Sequence, residues 1–208
     1  METVGLHIHL SGGLMKQIFL LFIILSLTIH AQNPAPIKIV HFKELQKCLP
    51  VQGPEGFTKE KPKGQTMSTA GISTSTASIE FTAPKIEKRL QTSDDGKQDS
   101  VDTDVTWTAS IEIVDFAGMG EGMSASLQMM TGVQFENESD GGYEKSVTFN
   151  GYKGIEKSNA DDDSHSCSLQ LVVGERYVVT ASGNGFSDVS ILRTLLSGAD
   201  LKRLSALK

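Results

Sequence analysis

The chain has 208 residues, with 19 Lys and Arg against 25 Asp and Glu and a formal net charge of −6. Binding nucleic acid needs concentrated base to neutralise phosphates, so the charge balance argues against that partner class. The one lysine-dense stretch, Lys59, Lys61 and Lys63, is broken by Glu60 and Pro62 and reads as a solvated loop.

Met15–Ala31, MKQIFLLFIILSLTIHA, reads as an export leader. Lys16 supplies a positive start, Ile18–Leu27 an apolar run, and His30-Ala31 before Gln32 a small-residue cleavage point. The run is too short to span a bilayer comfortably, and no second one follows. The chain after Gln32 is therefore expected to be soluble, periplasmic or secreted, with no stable membrane insertion. Met15 reads as the true start, with Met1–Leu14 an over-extended one; the competing reading is a long leader from Met1, against which Glu2 has the wrong charge. No Cys stands at the cleavage point, so no lipid anchor is expected. The Met-Lys start, Ile/Leu/Phe-rich centre and Ala-Gln end resemble signal peptides of Bacteroidetes-type gram-negative bacteria.

Residues 32–36 form a lead-in. Ile37, Val40, His41, Leu45, Cys48 and Leu49 fall near helical spacing, and Pro50 ends that predicted helix. Val51–Thr69 holds Gly53, Pro54, Gly56, Pro62 and Gly64, which predicts a long loop. Ala77, Ile79 and Phe81 alternate with polar residues in a strand that Pro84 is expected to close. Lys85–Ser100 is charged and reads as a loop turning at Asp94-Asp95-Gly96. Val101, Val105, Trp107, Ala109, Ile111 and Ile113 then share one parity opposite Asp102, Asp104, Thr106, Thr108, Ser110 and Glu112, the pattern of a strand with one dry face.

A short helix is predicted over Ser124–Met130. Tyr143, Val147 and Phe149 mark another strand, Gly151 a turn, and Asp161-Asp162-Asp163 a second turn. Cys167, Leu169, Leu171 and Val173 run into a tight hairpin at Gly174-Glu175, with Tyr177, Val179 and Ala181 on the return arm. Ser187 or Asp188 can cap a helix carrying Val189, Leu192, Leu195 and Leu196 that Gly198 stops; Asp200 caps a last helix with Leu201, Leu204 and Leu207. The expected architecture over 37–208 is a single α+β domain, an antiparallel sheet of five or six strands covered by the N-terminal helix and the C-terminal helices.

The order Leu49-Pro50, Lys61-Pro62-Lys63-Gly64, Ser75–Phe81, Ile113-Val114-Asp115, Gly142-Tyr143-Glu144-Lys145, Gly174-Glu175-Arg176-Tyr177 and Asp200-Leu201-Lys202-Arg203-Leu204 resembles a group of small exported bacterial proteins of uncharacterised role. The element order is also similar to the Mog1/PsbP-like architecture. Neither resemblance implies an activity.

Counting bounds the chemistry. Residues 32–208 contain two histidines, His41 and His165, and two cysteines, Cys48 and Cys167. A catalytic triad would need one of those histidines as its base. His41 lies on the inner side of the predicted helix, where a packed or hydrogen-bonded role is favoured. Asp163-Ser164-His165-Ser166-Cys167 holds the letters of a triad, but neighbours on a strand point to opposite faces and no nucleophile-elbow glycines flank it. Asp161, Asp163 and His165 are candidate metal ligands, yet the Gly and distal Glu of a calcium loop are missing, and a solvated turn is favoured. Gly118, Gly120 and Gly122 approach a dinucleotide fingerprint, but Met123 stands where the third glycine belongs and Glu121 would repel a pyrophosphate. Met119, Met123, Met129 and Met130 could offer thioethers to Cu(I); flexible core filler is the favoured role.

No catalytic, cofactor or metal site is therefore assigned. Cys48 and Cys167 both fall on apolar parities. Pairing would close a long loop, while separation would leave two small buried hydrophobes, and both readings stay open. The functional expectation is an exported, soluble, non-catalytic module that binds a partner or small ligand of the cell envelope. The alternative is a small exported hydrolase using carboxylates such as Asp115, Glu136 or Glu138. Asp115 is the one polar residue on the dry parity of the long strand, at an end where exposure is expected.

Overall fold

Strand-forming alternation continues well beyond the stretches where hydrophobic patterning reveals it. The computed structural model describes residues 38–69, 72–92, 97–118, 121–161 and 164–208. The leader, the lead-in, the Asp94-Asp95-Gly96 turn, Met119 and Asp163 lie outside the described residues. In chain order the elements are α1 (Phe42–Gln46), β1 (Thr58–Lys59), β2 (Lys63–Thr69), β3 (Ile72–Thr92), β4 (Gln98–Gly118), α2 (Glu121–Gly132), β5 (Glu136–Ser139), β6 (Gly142–Phe149), β7 (Tyr152–Asp161), β8 (Ser164–Val173), β9 (Tyr177–Asn184), α3 (Val189–Ser197) and α4 (Leu201–Ala206).

All nine strands join one antiparallel sheet in the order β1-β3-β4-β9-β8-β7-β6-β5, with β2 also on β3 beside β1. This corrects the expected five- or six-strand α+β sheet with a helical cover. The sheet dominates, and its helices are short. Three strands were not anticipated, β1 and β2 inside the expected Val51–Thr69 loop and the exposed β5, and the Lys85–Ser100 reading cut two expected strands short. Lys63–Thr69 is an edge strand exposed at every position, so no apolar alternation marks it. Lys85–Thr92 and Gln98–Ser100 are strand and not loop: β3 runs through Pro84 to Thr92, and β4 begins at Gln98. Proline is tolerated there because β1 pairs with β3 only as far as Thr82 and the even residues of β3 turn their backbone groups to that side, as Glu80 O does towards Glu60 N. The missing N–H of Pro84 therefore faces a free edge and costs no ladder bond.

The inner face carries the main core. Ile111 pairs with Ile79 on one side and Ala181 on the other, and Leu169 follows on β8. Leu45, Leu192, Leu195, Leu196, Leu201 and Leu204 join these residues in one buried cluster. α3 begins at Asp188, whose carboxylate accepts from Ser190 N at 2.9 Å, and Asp200 caps α4 through Arg203 N at 2.8 Å, both as the sequence predicts. The first helix is shorter than predicted. Residues 38–40 stay out of it, and His41 is its exposed N-cap rather than a residue of an inner helical face, with Nδ1 accepting from Lys43 N.

α2, longer than predicted at both ends, packs on the opposite, outer face, where Leu127, Val172 and Val178 form a small second cluster with Phe116 and Met130. Two tight turns organise the return strands. Asn150-Gly151 and Gly174-Glu175 all take positive φ, the backbone of hairpin turns that match strand twist.

Beyond the sheet body, β3 and β4 continue alone. Ten residue pairs, from Ala83–Trp107 to Thr92–Gln98, form a two-stranded arm about 30 Å long. β9 pairs with β4 only as far as Thr108, so the arm has a free edge on each side among the described residues. At its base Trp107 packs on Phe186 with centroids 5.3 Å apart, lies 4.9 Å from Lys85 Nζ, and donates to Glu87 Oε1 at 3.1 Å.

Candidate binding face

The carboxylates expected to carry any hydrolysis come apart in the fold. Asp115 is fully buried, which corrects the expectation of an exposed strand end. Its Oδ1 accepts from Arg176 Nε at 2.8 Å and Ala117 N at 3.0 Å; its Oδ2 accepts from Arg176 Nη2 and Val40 N, both at 2.7 Å. Arg176 Nη2 also donates to Lys38 O at 2.9 Å. Four donors saturate this carboxylate, and the bonded Asp115 raises the Arg176 pKa above its ordinary value. The group is a clasp holding residues 38–40 on the sheet, with no oxygen left for substrate. Glu136 and Glu138 stand exposed on the edge strand β5.

A second buried carboxylate was not singled out by sequence. Glu156 Oε1 accepts from Tyr143 Oη at 2.8 Å, with Lys145 Nζ at 3.8 Å, while Arg193 Nε and Nη2 both donate to Oε2. Burial, and then the bond to Glu156, push the Tyr143 phenol up to about 12. This group ties α3 to β6 and β7. The readable signal was Glu156 on the inner parity of its strand, beside Gly154 and Ser158.

The candidate metal ligands do not converge. Asp161 pairs with Ser164 and lies over Gly141, whereas His165 pairs with Ala160 and shares the parity of Cys167. Strand alternation sends Asp161 and His165 to opposite faces. No group of three metal-ligating side chains occurs among the described residues. Met130 packs into the cluster under α2, and Met129 is 70% exposed.

Cys48 and Cys167 are both buried and free. Burial raises their thiols to about 11 and about 12. Cys48 Sγ donates to Glu44 O at 3.7 Å, and Cys167 Sγ sits against Gly183.

With the interior charges committed, hydrogen-bonding capacity concentrates on the outer face of the sheet. The register aligns Thr82, Thr108, Asn184, Ser166 and Asn159 in one row across five strands. Glu80, Ser110, Ser182, Ser168 and Lys157 form the next, and Glu112, Thr180 and Gln170 lie beyond. None of these side chains is buried. Four clefts open on this face. One of about 590 Å³ lies between the end of α2 and β6–β7, lined by Met130, Phe135, Ser146, Thr148 and Lys153. A second, about 370 Å³, is lined by Thr108, Ser110, Ser166, Ser182 and Asn184. The others, about 200 and about 300 Å³, contain Lys63, Ser78 and Glu112, and Glu144, Lys157 and Asn159. Small hydroxyls and amides both donate and accept, so the face suits a polar ligand held by many weak bonds.

No family model, no curated protein and no solved structure matches this chain. Among the described residues no helix is long and apolar enough to cross a membrane.

Proposed function

We propose that the chain is an exported, non-catalytic module that holds a polar partner or ligand of the cell envelope on the outer face of its sheet. The observation that carries this reading is the set of clefts lined by unburied hydroxyl and amide side chains that opens on that face among the described residues. The two buried carboxylates support it from the other side, because each is occupied by structural donors. Export rests on the leader-like Met15–Ala31.

The test is site-specific photo-crosslinking in the native host. A photoreactive residue at Ser182, on the outer face, should give a discrete adduct in the exported fraction. The same residue at Ser197, exposed on α3, should not. Adducts of equal yield from both sites, or none from Ser182, would contradict the reading.

A further inference from the structure

The β3–β4 arm is electrically polarised. Its β3 half, Ala83–Thr92, carries Lys85, Lys88 and Arg89 against the single acid Glu87; its β4 half, Gln98–Trp107, carries Asp99, Asp102 and Asp104 and no base. Within one copy the opposite signs attract across the ribbon, as at Lys88 opposite Asp102. The same arrangement gives the arm's two free edges opposite charge.

On the β3 side the basic edge continues past Thr82 into β1 and the segment that follows, where Lys59, Lys61 and Lys63 are exposed around Glu60. On the β4 side the sheet steps back at the end of β9, opposite Thr108, and leaves the aspartate edge without a neighbouring strand among the described residues. An open edge presents unpaired backbone groups that template another strand, and side-chain charge decides which strand is accepted. Joining like edges of two copies about a two-fold axis would set base against base or acid against acid. A basic edge on an acidic edge is the match that remains, and that contact is head-to-tail.

We propose that the chain associates head to tail with a second copy, the Lys59–Lys63 edge of one copy docking on the Asp102 and Asp104 edge of the next copy's arm. Ile86, 70% exposed on the arm, adds apolar surface to the contact. The attraction is between solvent-exposed charges, so the contact is salt-sensitive. Lys61 and Lys63 also line one of the outer-face clefts, so the salt series and the D102K/D104K variant are the measurements that read the contact between copies apart from the outer-face reading.

Sedimentation equilibrium of the purified chain tests this. Association should be seen at low ionic strength and weaken about tenfold between about 50 and about 500 mM salt. The variants K61E/K63E and D102K/D104K should each sediment as monomers where the natural chain associates. Mixed together they should associate again, because the acidic edge of the first meets the basic arm of the second. A natural chain monomeric at millimolar concentration in low salt would overturn the proposal. So would a variant that self-associates as tightly as the natural chain, or a mixture that stays monomeric. The four positions are exposed, and circular dichroism confirms each variant's fold. The salt series on the unaltered chain stands apart from any variant's folding.

Discussion

Asp115 and Arg176, 61 residues apart, meet as a two-pronged ion pair, Nε on Oδ1 at 2.8 Å and Nη2 on Oδ2 at 2.7 Å. The pair joins the end of β4 to the β8–β9 turn, and through Val40 N and Lys38 O it draws the start of the described chain onto both. Both acceptor oxygens and both guanidinium prongs are used, which is the geometry that offsets the desolvation of a buried carboxylate.

Arg176→Ala should therefore lower the unfolding free energy by about 3–5 kcal/mol, because it strands a buried charge. Arg176→Lys should retain only part of the lost stability, since an ammonium cannot grip both oxygens. Urea denaturation checks both, and a loss within about 0.5 kcal/mol for Arg176→Ala would refute the clasp.

The Glu156 group should rank its variants by what each leaves behind. Arg193→Ala removes both bonds to Oε2 and leaves a nearly buried carboxylate facing Lys145 at 3.8 Å. The cost is about 3 kcal/mol. Tyr143→Phe removes one bond at 2.8 Å and should cost about 1 kcal/mol. The reverse order in denaturant titrations would contradict this network.

Several elements were legible in the sequence because one side of them is dry. Val101–Ile113 reads as a strand by its parity, of which Ala109, Ile111 and Ile113 enter the core, and Asp188, Gly198 and Asp200 bracket α3 and α4 through their own chemistry. The edge strand β2 and the β3 half of the arm were not legible, although the β4 half was read as strand from Val101 onward. Lys63–Thr69, exposed throughout, and Lys85–Thr92 carry no hydrophobic period, and their polar and charged residues imitate a loop. The first helix was over-read because Ile37, Val40 and Leu45 fit a helical spacing, whereas Val40 N is bonded to Asp115 and residues 38–40 lie outside the helix. Asp115 itself was visible as an acid on a dry parity. Its partner was not, since Arg176 stands in a turn and only the fold brings it back. The outer face was invisible for a related reason: serine and threonine on alternate positions read as ordinary solvent-facing residues until the register aligns them across strands.

Stability should fall at alkaline pH. Burial raises the folded thiols of Cys48 and Cys167 to about 11 and about 12. The unfolded chain releases these protons first, so their contribution is complete below the ordinary thiol range and is lost as pH rises through it towards the folded values. Denaturation midpoints at pH 8 should exceed those at pH 10.5, and C48A/C167A should narrow the gap. Thiol labelling of denatured, unreduced protein should find two free thiols per chain; none would indicate a bridge.

Processing should leave Gln32 as the first residue. N-terminal mass spectrometry of the exported fraction from the native host reads this directly, and a retained leader there would refute it.

The central claim is that the interior charges build the fold and the outer face of the sheet does the binding. The double variant S168R/S182R places two long cations in the middle of that face, at positions paired across β8 and β9. Its unfolding free energy and the Ser182-proximal adduct, now read from a photoreactive residue at Ser110, should separate. Stability should stay within about 0.5 kcal/mol of the natural chain while the adduct disappears. An adduct that persists undiminished on a folded double variant would contradict the account.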